Sequence, residues 1–288
     1  MKPPILLCVT FMSAHKHHIP HLMEWYAQNK ERHNLHLFWV PFRPLHKAQG
    51  DAVAMAFKLG CSHILFTEHD QWGYPTDGLD MLLAHDKDVV GFLTHYKSPP
   101  YLPMAYNKVD PSISMLVRTK NLKPFRPHGL SRCDMITWAF TLVKMSVFQR
   151  MLDLGKKEKE IILGLLEDIP EIKERLGEKR ATEIFSEEAN DAMDPFARWG
   201  CVPTDSRFNQ LCEDLGIERW VDGRVEIEHG DVPNAQVPYL RRAQGMILAA
   251  QNRLGMHDVV QLDEEHGIFS YQTEQQLEAQ IASRKLNG

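Results

Sequence analysis

Apolar residues in this chain come in short unbroken runs separated by stretches of helical spacing, and that rhythm sets the first expectation about its fold. Ile5-Leu6-Leu7-Cys8-Val9-Thr10-Phe11, Leu35-His36-Leu37-Phe38-Trp39-Val40 and His63-Ile64-Leu65-Phe66-Thr67 read as strands. A strand covered on both faces loses the polar alternation of a half-exposed one. Between these runs, Leu22 to Ala27 has helical spacing, and so do Ala48, Ala52, Met55, Ala56 and Leu59, with Lys47, Asp51 and Lys58 left for the wet side. Gly60 ends the second helix as its cap. Pro41-Phe42-Arg43-Pro44 reads as a rigid loop. Strand, helix, strand, helix, strand with connections this short predicts a doubly wound α/β layer.

The pattern continues less regularly. Asp88 to Thr94 supplies another strand, followed by a loop rich in proline and tyrosine, His95 to Pro103. Trp138 to Val143 reads as a further strand, with Cys133 and Asp134 in the loop before it. The composition then shifts to charge. Residues 154–190 read as a helical insertion, with Ile161, Leu165, Ile169, Ile172 and Leu176 packing on the main body and Lys156 to Glu160 as a solvated face. Asp194-Pro195-Phe196 returns to the core, and Thr204 to Cys212 starts a helix that Gly216 caps. Two short strands follow, near Trp220-Val221 and Val225 to Glu228, the second ending on His229-Gly230-Asp231. Leu240, Ala243, Ile247, Ala250 and Leu254 predict a C-terminal helix before a polar end. The expected division is 1–237 as the main domain and 238–288 as a C-terminal helical extension.

Composition narrows the function classes. The chain has 288 residues, 43% hydrophobic and 25% charged, which is ordinary for a globular protein. A formal charge of -5 provides no broad basic field for nucleic acid or an anionic membrane, so a polyanionic ligand would have to be held locally. Five cysteines form no CxxC pair and are odd in number, which argues against a disulfide framework or a structural zinc site and for a reducing, cytoplasmic setting. The apolar run near the start, Ile5 to Phe11, is too short for a membrane span and has no signal-peptide pattern after it.

The strand His63 to Thr67 runs into Glu68-His69-Asp70, bounded beyond by Gly73 and Pro75. Ligands in open α/β sheets bind at the carboxyl ends of strands, and two acids two positions apart in extended chain project to one side. Both can face one cation; the plainer reading is a polar strand end and a solvated loop. Asp205, at a helix start, could serve as a base or simply as an N-cap. His15-x-His17 after the first strand, with His69 and His229, leaves open a metal-dependent hydrolase that would prefer zinc. A nucleotidyltransferase would need a glycine-rich loop after the first strand, and Phe11 to His18 contains no glycine. A carbohydrate-binding module without catalysis is the remaining alternative.

The order of features over residues 4–231 resembles a metal-dependent glycosyltransferase of the GT-A fold. The helix Ala48 to Leu59 leading into His63 to Asp70 is similar to that family's helix, strand and DxD motif, with Glu68 in place of the first aspartate. Asp134 to Lys144 is similar to the strand whose preceding loop faces donor and acceptor. Pro203 to Phe208 looks like the segment where an acidic pair opens a helix, here reduced to Asp205. The resemblance implies a GT-A-like doubly wound mixed sheet flanked by helices, carrying the insertion and the C-terminal helix. It implies a metal set of Asp70, His229 and Glu68, Mn2+ or Mg2+ as the ion, and Asp205 as catalytic base of an inverting transfer. Donor contacts would come from Thr10, Phe11, Arg43, Glu68, His69, Lys97, Asp134 and Trp138, with Trp72 and Tyr101 as further stacking rings. The partners implied are a nucleotide-sugar donor, a UDP-sugar foremost, and an acceptor hydroxyl.

Overall fold

The computed structural model describes residues 2–11, 18–41, 45–68, 70–96, 102–114, 121–168, 177–196, 204–229, 259–263 and 268–272. The elements begin in the order that the apolar rhythm predicts: β1 (Ile5–Phe11), α1 (His18–His33), β2 (Leu35–Pro41), α2 (Leu45–Leu59) and β3 (His63–Glu68). Then come β4 (Gln71–Trp72), α3 (Gly78–Ala84), β5 (Val89–Thr94), β6 (Ala105–Lys108), β7 (Leu122–Pro124), β8 (Leu130–Cys133), β9 (Met135–Ile136) and β10 (Thr141–Lys144). The chain goes on through α4 (Met145–Asp168), α5 (Glu178–Ala192), α6 (Thr204–Asp214), β11 (Arg219–His229), β12 (Val259–Asp263) and β13 (Ile268–Gln272). Gly60 and Gly216 both take positive φ, +64° each, where a helix must stop in the left-handed region.

The main sheet runs β2-β1-β3-β10-β5-β11-β4, with β8 paired to β11 as its eighth strand. β1 is parallel to both β2 and β3, and β5 is parallel to β11. β10 lies antiparallel between β3 and β5, which makes the sheet mixed. β6, β7 and β9 form a small separate sheet. The result is the expected large mixed α/β sheet flanked by helices.

Both faces are covered, which is why the strands read as unbroken apolar runs. Leu6, Cys8, Ile64 and Phe66 pack beneath Ala52 and Ala56 of α2, Phe148 and Met151 of α4, and Phe208 and Leu211 of α6. Ile5, Leu7, Val9 and Leu65 face the other way, against Leu22 and Trp25 of α1 and Leu79 and Leu82 of α3. Cys8, Cys61, Cys133 and Cys212 are buried and free. Among the described residues, no helix is long and apolar enough to cross a membrane.

Four expectations change. The strand expected from Trp138 begins only at Thr141, because Trp138 to Phe140 is a buried irregular segment ending at Phe140 with φ +49°. Burial alone makes such a segment apolar, so the pattern could not distinguish it from a strand. The helical insertion does not begin at 154. Instead α4 follows β10 directly, and its first turns carry the core residues Val147, Phe148 and Met151. Further along, Ile161 is 64% exposed, so that part of the stripe is not covered by the body; α4 and α5 pack on each other instead.

The two short strands near 220 and 225 are one strand, β11, with a bulge between Asp222 and Glu226. Gly223 allows it, since a Cβ there would lie 2.0 Å from the Pro127 carbonyl oxygen. Of the expected C-terminal helical extension, Leu240 to Leu254 lies outside the described residues. What is described beyond it, β12 and β13, is an antiparallel pair rather than a helix. Its residues, Val259-Val260-Gln261-Leu262 and Ile268-Phe269-Ser270-Tyr271, are the β-branched and aromatic types that favour strands.

Candidate metal centre

β3 is central in the sheet, so its carboxyl end opens where the chain leaves the layer, and Glu68 and Asp70 stand there. Thr10 of β1 is in register with Glu68 and buried beside it. After Asp70 the chain turns into β4, which pairs antiparallel with the end of β11, placing Gln71 opposite His229 and Trp72 opposite Glu228. This ladder brings the late histidine to the acidic pair. One ligand atom from each of Glu68, Asp70 and His229 lies within 4.8 Å of the others.

The imidazole is oriented by its far side. His229 Nδ1 is 2.9 Å from the His95 carbonyl oxygen, and a carbonyl only accepts, so Nδ1 carries the proton. Nε2 is then the lone-pair nitrogen, and it faces Asp70 Oδ2 at 3.6 Å and Glu68 Oε2 at 3.9 Å. An ion held at about 2.1 Å from each donor needs donors no further apart than about 4.2 Å; both separations from His229 meet that, and Glu68 and Asp70 lie within 4.8 Å of each other. Two carboxylates and one imidazole, with Asp70 and His229 buried, fit a Mn2+ or Mg2+ ion.

A network beneath the cluster holds the turn. The Gln71 amide oxygen accepts from the Thr67 hydroxyl at 3.0 Å and the Glu68 N–H at 3.2 Å, and its nitrogen donates to Glu68 Oε2 at 3.3 Å. Tyr74 donates its hydroxyl to the Gln71 carbonyl at 2.6 Å. His21 of α1 accepts the N–H groups of Gly73 and Tyr74 on Nε2 and stacks on the Tyr74 ring. Accepting there requires neutral imidazole, and burial lowers the His21 pKa while Glu24 pulls against it. None of Gln71, Tyr74, His21 or the His95 carbonyl carries a recognisable sequence signal.

Asp205 sits in the first turn of α6, half-buried, with Oδ1 accepting the Ser206 N–H at 3.0 Å. Burial pushes its carboxyl up to about 6, against the pull of backbone N–H groups. Asn209 holds this turn, accepting the Ile136 N–H and donating to the carbonyls of Ile136 and Asp205. The Tyr106 hydroxyl, its pKa raised chiefly by burial and next by its bond to Tyr96, donates to the hydroxyl of Tyr96, the residue after His95.

Other expected contacts fare differently. Trp138 is buried in the aromatic core against Phe66, Phe208 and Phe196, so it packs rather than lining a cofactor site. Asp134 accepts the Lys108 N–H at 2.8 Å, and its carbonyl accepts from Arg219 at 2.7 Å, which ties it into the scaffold. Trp72 is half-buried in β4. Phe11 closes β1 opposite Pro41. Arg43, His69, Lys97, Tyr101, His15 and His17 lie outside the described residues.

No protein-family model matches the chain, and no curated protein matches it in sequence. Among solved structures, it is similar to A197 from STIV, 12% identical with a TM-score of 0.34, over 51% of this chain and 66% of that one. It is also similar to GalNAc-T7, crystallised with UDP, GalNAc and Mn2+, at 9% identity and a TM-score of 0.38. That match covers 80% of this chain and 44% of the other. In both cases the chain spans less than two thirds of its neighbour, and likenesses of this depth add nothing to what the sheet itself defines.

Proposed function

We propose that the protein is a metal-dependent glycosyltransferase that moves a sugar from a nucleotide-diphosphate donor to an acceptor hydroxyl. The observation that carries this reading is the convergence of Glu68, Asp70 and His229 at the carboxyl edge of a mixed sheet. These three residues hold the ion. When bound, a divalent cation supplies charge stabilisation to the departing diphosphate. Thr10, Phe11, Arg43, His69 and Lys97 are the chain's donor-side groups in this reading.

Asp205 takes the proton from the acceptor hydroxyl in an inverting transfer. A carboxyl at about 6 is ionised at neutral pH and is a stronger base than an exposed aspartate, which suits it to that step. Its bond from the Ser206 N–H is compatible with the role, since a carboxylate offers about four lone-pair positions.

The test is a thermal-shift panel of nucleotide sugars with Mn2+, Mg2+ and Zn2+, followed by transfer assays with any donor that binds. Stabilisation by a nucleotide sugar only when Mn2+ or Mg2+ is present supports the reading. A shift with zinc alone and none with any nucleotide sugar overturns it in favour of a hydrolase.

A further inference from the structure

We infer that Gln71 is the positioning residue that assembles the metal centre before the ion arrives, a role that rests on Glu68, Asp70 and His229 being the ion's ligands. Gln71 is the point where the two halves of the cluster meet. Its backbone stands opposite His229 in the β4–β11 ladder, and its side chain clasps Glu68. It also follows Asp70 directly in the chain, so one residue touches or adjoins every ligand of the set.

The amide has one possible orientation. The Glu68 N–H and the Thr67 hydroxyl both reach the same atom of Gln71, and the N–H can only donate, so that atom is the oxygen. The amide nitrogen must then face Glu68 Oε2, the oxygen that lies 3.9 Å from His229 Nε2. Gln71 is itself 2% exposed, and its carbonyl is held by Tyr74, which is packed under His21. The donor therefore cannot swing away.

The consequence is a Glu68 carboxylate fixed toward Nε2 by a neutral amide donor, which orients it without cancelling its charge. A cation or a second acid in that position would neutralise the carboxylate or repel it. Partners that orient metal ligands are worth about 10–100-fold in metal affinity. Glu68, the residue that departs from an aspartate pair, is the ligand with the longest side chain and the most rotamer freedom to lose. It gains most from being held.

The experiment measures the Mn2+ dissociation constant by calorimetry and water-proton relaxation, with no donor or acceptor present, for wild type, Gln71→Met and Gln71→Asn. Met keeps the volume and loses the clasp; Asn keeps the amide but falls one methylene short of Glu68. Both are expected to bind Mn2+ at least tenfold more weakly than wild type, measured well below the melting temperature of each metal-free variant. Thr67→Val, which removes one of the two bonds to the amide oxygen and the contact with the Tyr74 hydroxyl but leaves the donor to Glu68, is expected to lose less than either. A merely structural Gln71 would lower the melting temperature and leave the constant unchanged; that result in folded variants overturns the inference. Absence of Mn2+ binding in the wild type overturns the metal centre itself, so the two failures are distinguishable.

Discussion

His229 Nδ1 lies 2.9 Å from the carbonyl oxygen of His95, a residue 134 positions earlier in the chain. That single bond selects the tautomer and points the other nitrogen at Asp70 and Glu68. A histidine with the same neighbours but no such carbonyl could present either nitrogen, or a proton, to an incoming ion.

The first prediction concerns the ligands. Asp70→Ala is expected to weaken Mn2+ binding at least 100-fold and to abolish metal-dependent stabilisation by nucleotide sugars. His229→Ala is expected to cost about 10–100-fold. Titration calorimetry on the purified variants checks both, and wild-type affinity in Asp70→Ala would remove Asp70 from the set.

Asp205→Asn is expected to lower transfer by about 100-fold or more while donor binding in the presence of metal stays within about twofold. The wild-type kcat/KM is expected to fall tenfold per pH unit below about 6, as the carboxyl takes up its proton. The stability sign runs the other way: the folded-state pKa is raised, so this group's contribution is complete below its ordinary range near 4 and is lost as pH rises through about 6. Asp205→Asn should therefore melt higher than wild type at pH 7.5. A lower melting temperature there would argue that the carboxylate is a needed cap.

Glycine is required at two contacts by backbone approach. A Cβ on Gly223 would meet the Pro127 carbonyl oxygen at 2.0 Å, and one on Gly91 would meet Thr141 Oγ1 at 2.4 Å and Ile136 Cδ1 at 3.0 Å. Gly91→Ala is expected to cost about 1–3 kcal/mol, and Gly223→Ala more, because the Thr141 and Ile136 side chains can turn aside and the Pro127 backbone cannot. Urea denaturation gives the ranking; equal midpoints would contradict it.

Asp222 is buried at the β11 bulge, with His85 at 2.9 Å and the Arg224 guanidinium at 2.5 Å. Burial alone would raise its pKa, and the bonds from Arg224 and His85 overcome this and hold it at about 2. Its stabilising contribution is present above its ordinary range near 4 and is lost as pH falls toward 2. Asp222→Asn is expected to cost about 2 kcal/mol at pH 7 and less at pH 3. A cost that grows on acidification would refute the linkage.

Much of the layer was legible without coordinates. The runs at Ile5, Leu35, His63 and Val89 are strands because side chains on both faces of a covered sheet must be apolar. Gly60 and Gly216 ended their helices because only glycine takes positive φ cheaply. Trp138 failed the same test for the same reason: burial makes an irregular segment as apolar as a strand. The bulge in β11 reads as a gap because Asp222 and Gly223 interrupt the apolar run, although pairing with β5 resumes beyond it at Glu226.

For the site, the sequence alone determined the acid-x-acid spacing at Glu68 and Asp70, the histidine closing an apolar run at His229, and the helix-start aspartate at 205. Local rules suffice there, because strand ends and helix starts are set by neighbouring residues. Only the tertiary structure decided that β4 would lie beside β11, that the His95 carbonyl would meet His229, and that Gln71 would clasp Glu68. The first two belong to strand register, which brings together residues more than 130 positions apart and leaves no periodicity in either stretch to reveal it, and the third to the turn after β3, whose side-chain bonds no spacing announces.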